Sequence, residues 1–100
     1  MLDVRTTALF DRWLADLRDK PAKARILARV DRFQLGNPGD VKPVGEGVFE
    51  MRIHFGPGYR VYFIRQGDEV VILLAGGDKS TQSADIKKSL KLAREIRHSD

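Results

Sequence analysis

Residue types that suit phosphodiester chemistry are concentrated between positions 50 and 62. Glu50, Arg52 and His54 alternate with apolar residues, and Arg60 and Tyr62 follow a Gly-Pro-Gly turn. An arginine grips phosphate oxygens with its planar fork, while carboxylate, imidazole and phenol groups take or give protons. Phosphodiester cleavage without a metal needs a proton acceptor for the ribose 2′-OH, cations for the developing charge and an acid for the leaving oxygen. This segment contains residue types for each of these roles.

The alternation of apolar and polar residues around this turn predicts a β-hairpin with one polar face. A three-residue loop, Gly56–Gly58, pairs Phe55 with Tyr59 and brings the apolar faces of both strands to the core side, whereas a two-residue loop would mix the faces. The resulting polar-face pairs are His54 with Arg60, Arg52 with Tyr62, and Glu50 with Ile64. Opposed side chains lie about 5 Å apart, so this register gathers the polar groups. A ladder of weak surface ion pairs explains the same pattern equally well.

Positive charge is concentrated in two segments of predicted helix. Residues 18–32 contain six basic and two acidic residues, and residues 87–97 contain five basic and one acidic residue. Each segment therefore carries +4, which equals the net charge of the whole chain. A polyanion-binding surface and an ordinary solvated helix face both fit this distribution. The candidate RNA-binding residues are Lys87, Lys91, Arg94 and Arg29, and Lys79 is a further candidate for holding phosphate.

The composition of the 100-residue chain restricts its class. With 42% apolar and 32% charged residues, it has the balance of one globular domain. It lacks cysteine and has two histidines, so we expect no disulfide, no thiolate chemistry, no metal site and no cofactor. Apolar runs long enough to span a membrane or direct secretion are missing, so we expect a cytoplasmic protein without a membrane partner.

The periodicity of the apolar residues predicts an α+β fold. The expected elements are a strand within residues 1–6, helices over about 8–17 and 21–35, a short extended piece at 41–44, strands at 48–55, 59–65 and 69–75, and a helix from about residue 80 onward. The chain is thus predicted to form an N-terminal strand and helical hairpin, a three-stranded antiparallel meander and a C-terminal helix. Trp13 lies on the apolar stripe of the first helix, so we assign it to the core.

The strand at 69–75 is predicted to lie in the interior of the sheet. Val70–Leu74 is apolar on both faces, which is typical of a strand covered on both sides. The N-terminal strand should therefore pair with its free edge.

Three segments carry a resemblance to a known superfamily. They are EMRIHFGPGYRVYF at 50–63, LLAGGDKSTQ at 73–82 followed by Asp85 and Ile86, and GNPGDVKPVGEG at 36–47. Together with the order of elements, they resemble the addiction-module killer proteins of the RelE/HigB toxin superfamily. The likeness covers nearly the whole chain.

The resemblance implies a compact RelE/ParE-like toxin fold and a type II toxin–antitoxin pair. It implies neutralisation by an antitoxin encoded beside the toxin, often one with a helix-turn-helix DNA-binding domain. It also implies ribosome-dependent endonucleolytic cleavage of mRNA. By position, Arg60 would hold the phosphate with support from Arg52 and Lys79. The candidates for proton transfer are Tyr62, His54 and Glu50.

Two other functions fit the same superfamily. Toxins that resemble ParE poison DNA gyrase by binding and cleave no RNA, and fold does not distinguish them from ribonucleases. A non-catalytic module that binds RNA or an antitoxin is the third interpretation. The basic helices and the cationic sheet face favour RNA as the target.

Overall fold

The computed structural model describes residues 1–99, which form one mixed sheet with helices on both faces. The elements in chain order are β1 Asp3–Thr6, α1 Ala8–Asp16, α2 Lys20–Gln34, β2 Val41–Gly45, β3 Val48–Ile53, β4 Tyr59–Gln66, β5 Val70–Gly77 and α3 Gln82–Arg97. The predicted α+β fold and its order of elements are confirmed. The short extended piece is a full strand, β2. No helix within residues 1–99 combines the length and the apolar character needed to cross a membrane.

Side-chain caps determine where the first two helices begin. The hydroxyl of Thr7 accepts a hydrogen bond from the Phe10 amide at 3.1 Å, and the carboxylate of Asp19 accepts one from the Ala22 amide at 3.1 Å. Such caps satisfy amides that have no partner inside the helix. Pro21 fits the first turn of α2 because that position needs no amide donor. The local sequence therefore accounts for the helical hairpin.

The strand order is β1-β5-β4-β3-β2, with β1 parallel to β5 and the other neighbours antiparallel. The interior position of β5 and the pairing of β1 with its edge are confirmed. At the opposite edge, β2 pairs with β3 and contains Pro43, a residue that edge strands tolerate because its missing amide need not face a neighbour.

Two apolar cores lie on the two faces of the sheet. On one face, α1 and α2 bury Phe10, Ile26 and Phe33 against the strands. On the other face, α3 packs Ala93 against a cluster that includes fully buried Tyr62. The predicted division of residues between the two faces is confirmed. The polar face, however, is covered by α3 rather than open to solvent.

Consecutive glycines at the end of β5 allow helices to approach both faces of the strand. A Cβ atom on Gly76 would overlap the ring of Trp13 in α1. A Cβ atom on Gly77 would overlap the carboxylate of Asp85 and lie 2.8 Å from the hydroxyl of Thr81. Successive residues of a strand point to opposite faces, so two glycines are needed to admit both neighbours. Trp13 packs against the core as predicted.

We expect Gly76→Ala to lower the free energy of unfolding by about 1–3 kcal/mol, because the added methyl group enters space that the Trp13 ring fills. Urea unfolding measures this change. In a Trp13→Leu background the same substitution should cost less, because the smaller side chain leaves room. An equal cost in both backgrounds would show that the ring is not the cause.

Candidate functional site

The β3–β4 hairpin differs from the predicted register by two residues. Ile53, rather than Phe55, pairs with Tyr59, and the loop is His54–Gly58 instead of Gly56–Gly58. The Phe55 amide donates to the Ile53 carbonyl at 2.8 Å, and the Gly58 amide donates to the Phe55 carbonyl at 3.1 Å. Gly56 and Gly58 both have positive φ, so the chain makes successive tight turns that consume more residues than a three-residue loop. A shift of two keeps every side chain on its predicted face.

The observed register places two arginines opposite each other and a glutamate opposite a tyrosine. The pairs are Arg52 with Arg60 and Glu50 with Tyr62. Glu50 is 1% exposed and lies at the centre of the cluster. Its Oε1 accepts a hydrogen bond from Arg52 Nε at 3.2 Å, and its Oε2 accepts bonds from the Tyr62 hydroxyl at 3.0 Å and Gln82 Nε2 at 2.8 Å. Arg60 Nε lies 3.5 Å from Oε2. We call these five residues the Glu50 cluster.

The surroundings of Glu50 determine the charges in the cluster. Burial tends to raise the pKa of its carboxyl group, but hydrogen bonds from Gln82, Tyr62 and Arg52 and the charge of Arg60 outweigh burial and lower it. Burial and the neighbouring carboxylate raise the pKa of Tyr62. At neutral pH, Glu50 is therefore ionised and Tyr62 is protonated and donating to it.

Arg60 is largely buried, although the sequence placed it on the polar face of the hairpin. Its side chain is 13% exposed, and its Nη1 donates to the Gly58 carbonyl at 2.6 Å. Its Nε is buried and, within residues 1–99, has no hydrogen-bond partner of good geometry. The guanidinium is thus fixed by its surroundings while one of its donors is not used by the protein.

Lys79 lies beside Arg60 at the turn after β5. A Cβ atom on Gly58 would be 3.1 Å from Arg60 Nη1 and 3.6 Å from Lys79 Cβ, so both cations flank this glycine. The Lys79 amide donates to the Pro57 carbonyl at 3.4 Å, which ties the turn to the hairpin loop. The structure therefore places the base of the Lys79 side chain beside Arg60.

His54 lies apart from this cluster, so its predicted place beside Arg60 was wrong. The residue follows the last paired position of β3, and its ring is largely exposed. His54 Nε2 lies 2.6 Å from Asp40 Oδ2, and this hydrogen bond is the main cause of the lowered pKa of Asp40. The five-residue loop carries His54 out of the ladder.

Known proteins resemble the chain across the whole of this site. The family model described as "Phage derived protein Gp49-like (DUF891)" matches residues 12–98, which include all of the candidate site. The chain belongs to the Gp49-like family. An "Uncharacterized protein" of Haemophilus influenzae is 53% identical over 95 residues, covering 95% of this chain and 96% of that relative. The family is grouped with the toxins of toxin–antitoxin modules, in agreement with the general setting predicted from the sequence.

The predicted RNA-binding residues of this Gp49-like protein have different surroundings. Lys87 and Lys91 are exposed on α3 and make no ion pair among residues 1–99. Arg94, by contrast, donates to Glu46 through Nε at 2.8 Å. Arg29 donates to the carbonyls of Arg52 and Pro38, so it braces the backbone.

The sequence did not indicate the two polar residues that α3 contributes near β3 and β5. Gln82 binds Glu50 from 32 positions along the chain, and Asp85, 8% exposed, accepts a hydrogen bond from the Thr81 hydroxyl at 2.6 Å. Both residues belong to the segment that carries the resemblance, but a polar residue at a helix start usually caps the helix, so neither was a candidate for the site. Over the described part of the chain, residues 1–99, no group of three acidic or histidine side chains could hold a metal ion.

Proposed function

We propose that this protein is the toxin of a toxin–antitoxin pair and that it cleaves mRNA on the ribosome, as RelE/HigB toxins do. The observation that supports the proposal is the facing pair of arginines, Arg52 and Arg60, in the Glu50 cluster. Like charges directly opposite each other in a sheet are destabilising. The single negative charge of Glu50 offsets one of them, so the cluster retains positive charge that an anion can bind.

A phosphodiester is the anion that this arrangement fits best. Arginine forks bind phosphate oxygens with two parallel hydrogen bonds, and Lys79 adds a point charge at the adjacent turn. Arg52 is about one-third exposed and Lys79 is exposed, so an RNA strand can reach them without disturbing the core. The buried Glu50 orients the arginines before the substrate arrives, which is the requirement for electrostatic stabilisation of a transition state.

In the proposed reaction, the ribose 2′-oxygen attacks phosphorus and the bond from phosphorus to the 5′-oxygen breaks. The 2′-OH proton passes to solvent water, and the departing 5′-oxygen takes a proton from water, giving a 2′,3′-cyclic phosphate and a 5′-OH end. Arg60, Arg52 and Lys79 would stabilise the charge on the non-bridging oxygens. Glu50 and Tyr62 are buried and hydrogen-bonded to each other, so we assign them to positioning the arginines rather than to proton transfer.

Induced expression followed by mapping of 5′ ends in cellular RNA tests this proposal. We expect growth arrest together with new transcript ends that carry 5′-OH groups. A DNA-damage response with intact transcripts would instead indicate a gyrase poison. Arrest with neither change would indicate a module that binds without catalysis. Either of these two outcomes would contradict RNA cleavage.

We expect the antitoxin to associate with the lysine-rich face of α3, because Lys87, Lys88 and Lys91 are exposed and unpaired within residues 1–99. Lys87→Glu/Lys91→Glu should slow association and flatten its dependence on salt, since rim charges act mainly on the association rate. Stopped-flow mixing with the antitoxin measures both quantities. Lys20→Glu/Lys23→Glu makes the same charge change in α2, on the opposite face of the sheet, and should have a smaller effect. Equal rates for all three proteins would exclude α3 as the docking surface.

A further inference from the structure

A second cationic site lies between α2 and the β3–β4 loop, outside the Glu50 cluster. It is a cavity with a volume of about 230 Å³. Three guanidinium groups, an imidazole and an aromatic ring line it: Arg25, Arg29, Arg32, His54 and Phe55. We call this the α2 pocket.

The α2 pocket has an excess of positive charge. Along the described chain, residues 1–99, none of its three arginines makes an ion pair with a carboxylate, and the nearby Asp40 is hydrogen-bonded to His54 instead. Burial, followed by the charge of Arg32, lowers the pKa of Arg29, and the charge of Asp40 offsets this only in part. Backbone carbonyls hold Arg29 in place, so this repulsion is built into the fold.

Phe55 gives the α2 pocket a second recognition element. The Arg25 guanidinium lies 4.5 Å from the centre of the Phe55 ring, and the ring is half-buried. Proteins that bind single-stranded nucleic acid combine positive charge along the backbone with aromatic or guanidinium planes on which bases stack. This combination distinguishes the pocket from the lysine face of α3, which carries charge without an aromatic ring.

We propose that the α2 pocket binds a phosphate of the same single-stranded RNA that lies at Arg60, with the adjoining base on the Phe55–Arg25 platform. The inference rests on the proposed function, because it extends the same substrate across the hairpin loop. Arg29 donates to the carbonyl of Arg52, whose side chain belongs to the Glu50 cluster. Phe55 and Arg60 are close in the chain, and the reach of an extended backbone limits the distance between them to at most about 18 Å. A strand of a few nucleotides that passes around the hairpin loop can therefore contact both sites.

Binding of a short single-stranded RNA that carries 2′-O-methyl groups tests the pocket without cleavage. Fluorescence anisotropy between about 50 and 200 mM salt gives the slope of log K against log salt, which changes by about 0.7 for each phosphate that the protein neutralises. Arg25→Gln/Arg32→Gln should reduce the slope by at least that amount. Phe55→Leu should weaken binding by about fivefold or more with an unchanged slope, because stacking carries no net charge. Arg29 is kept in every variant because its removal would leave carbonyls without donors.

Arg5→Gln/Arg12→Gln is the matched control, since it removes two exposed arginines from β1 and α1. If the pocket variant and this control have the same slope, the α2 pocket does not bind a phosphate. That result would leave the proposal of RNA cleavage standing. Undetectable binding by the unmodified protein would also overturn the α2 pocket. Loss of antitoxin binding with RNA binding retained would show that the pocket accepts a protein instead. A reduced slope in a protein that leaves cellular transcripts intact would support the pocket and contradict the proposed function.

Discussion

Arg60→Lys should reduce the rate of mRNA cleavage by about a hundredfold to a thousandfold, the usual cost of losing one transition-state donor. Lysine keeps the charge but cannot donate from a planar fork. A lower cleavage rate would therefore be due to the geometry of the hydrogen-bond donors and not to the net charge. The side chain of Arg60 is fixed by Gly58 and Glu50, so its guanidinium plane has a defined orientation. Cleavage of ribosome-bound mRNA by the purified protein measures the effect, and growth arrest in cells should weaken in parallel.

Lysine is a sharper test than alanine because Arg60 is 13% exposed. Alanine would empty buried space and remove one of the cations beside Glu50, so a loss of activity could reflect a damaged fold. Arg5→Lys in β1 is the control, since that arginine is exposed and pairs only with Asp3 along the chain that the structure describes. Full activity of a folded Arg60→Lys protein would remove Arg60 from the catalytic site.

Glu50→Gln should produce the largest loss of stability of any single change in the cluster, about 3–5 kcal/mol at neutral pH. The buried carboxylate balances Arg52 and Arg60, and a neutral amide would leave two facing cations without a counter-charge. The midpoint of urea unfolding measures the change. Glu46→Gln is the control, because that exposed carboxylate also binds an arginine, Arg94, and solvent screens the pair.

The effect of Glu50→Gln should depend on pH in a defined direction. The pKa of Glu50 is lower in the folded protein than its ordinary value of 4.5. The stability that ionised Glu50 gives the folded protein is therefore fully present above about pH 4.5. It is lost as the pH falls through the lower pKa of Glu50 in the folded protein. The stability difference between the two proteins should narrow below that pH. A difference that stays constant between neutral and acidic pH would show that the ionised carboxylate is not its source.

The sequence predicted which face each hairpin residue occupies but not which residues are opposed. Alternation has a period of two, so any shift by two residues leaves the pattern of Met51, Ile53, Val61 and Phe63 unchanged. Only the loop could specify the register, and two glycines with positive φ permit several loop lengths. The arginine pair consequently appeared only in the structure, and with it the separation of His54 from the site.

The burial of Glu50 and Tyr62 could not be predicted from the sequence either. The apolar stripe of α3 indicates that the helix covers something, but not which face of the sheet it covers. The hydrogen bond that ties α3 to this face, from Gln82 to Glu50, joins residues 32 positions apart. Similarly, the sequence does not distinguish the basic residues of α3 from one another, whereas in the structure Glu46 engages Arg94 and Arg97.

The position of β5 has a consequence for the timing of folding during synthesis. β5 is the last strand among the described residues, yet it lies between β1 and β4, so β1 has no neighbour in the sheet until residues 70–73 have been made. The side chain of Thr7 donates to the carbonyl of Leu74 across 67 positions. Glu50 and Tyr62 are covered only after α3 has followed. Contacts of such long sequence separation form late, so a nascent chain whose α3 is still inside the ribosome lacks the completed Glu50 cluster. Under the proposed function, such a toxin could not cleave the message that encodes it before α3 has left the ribosome.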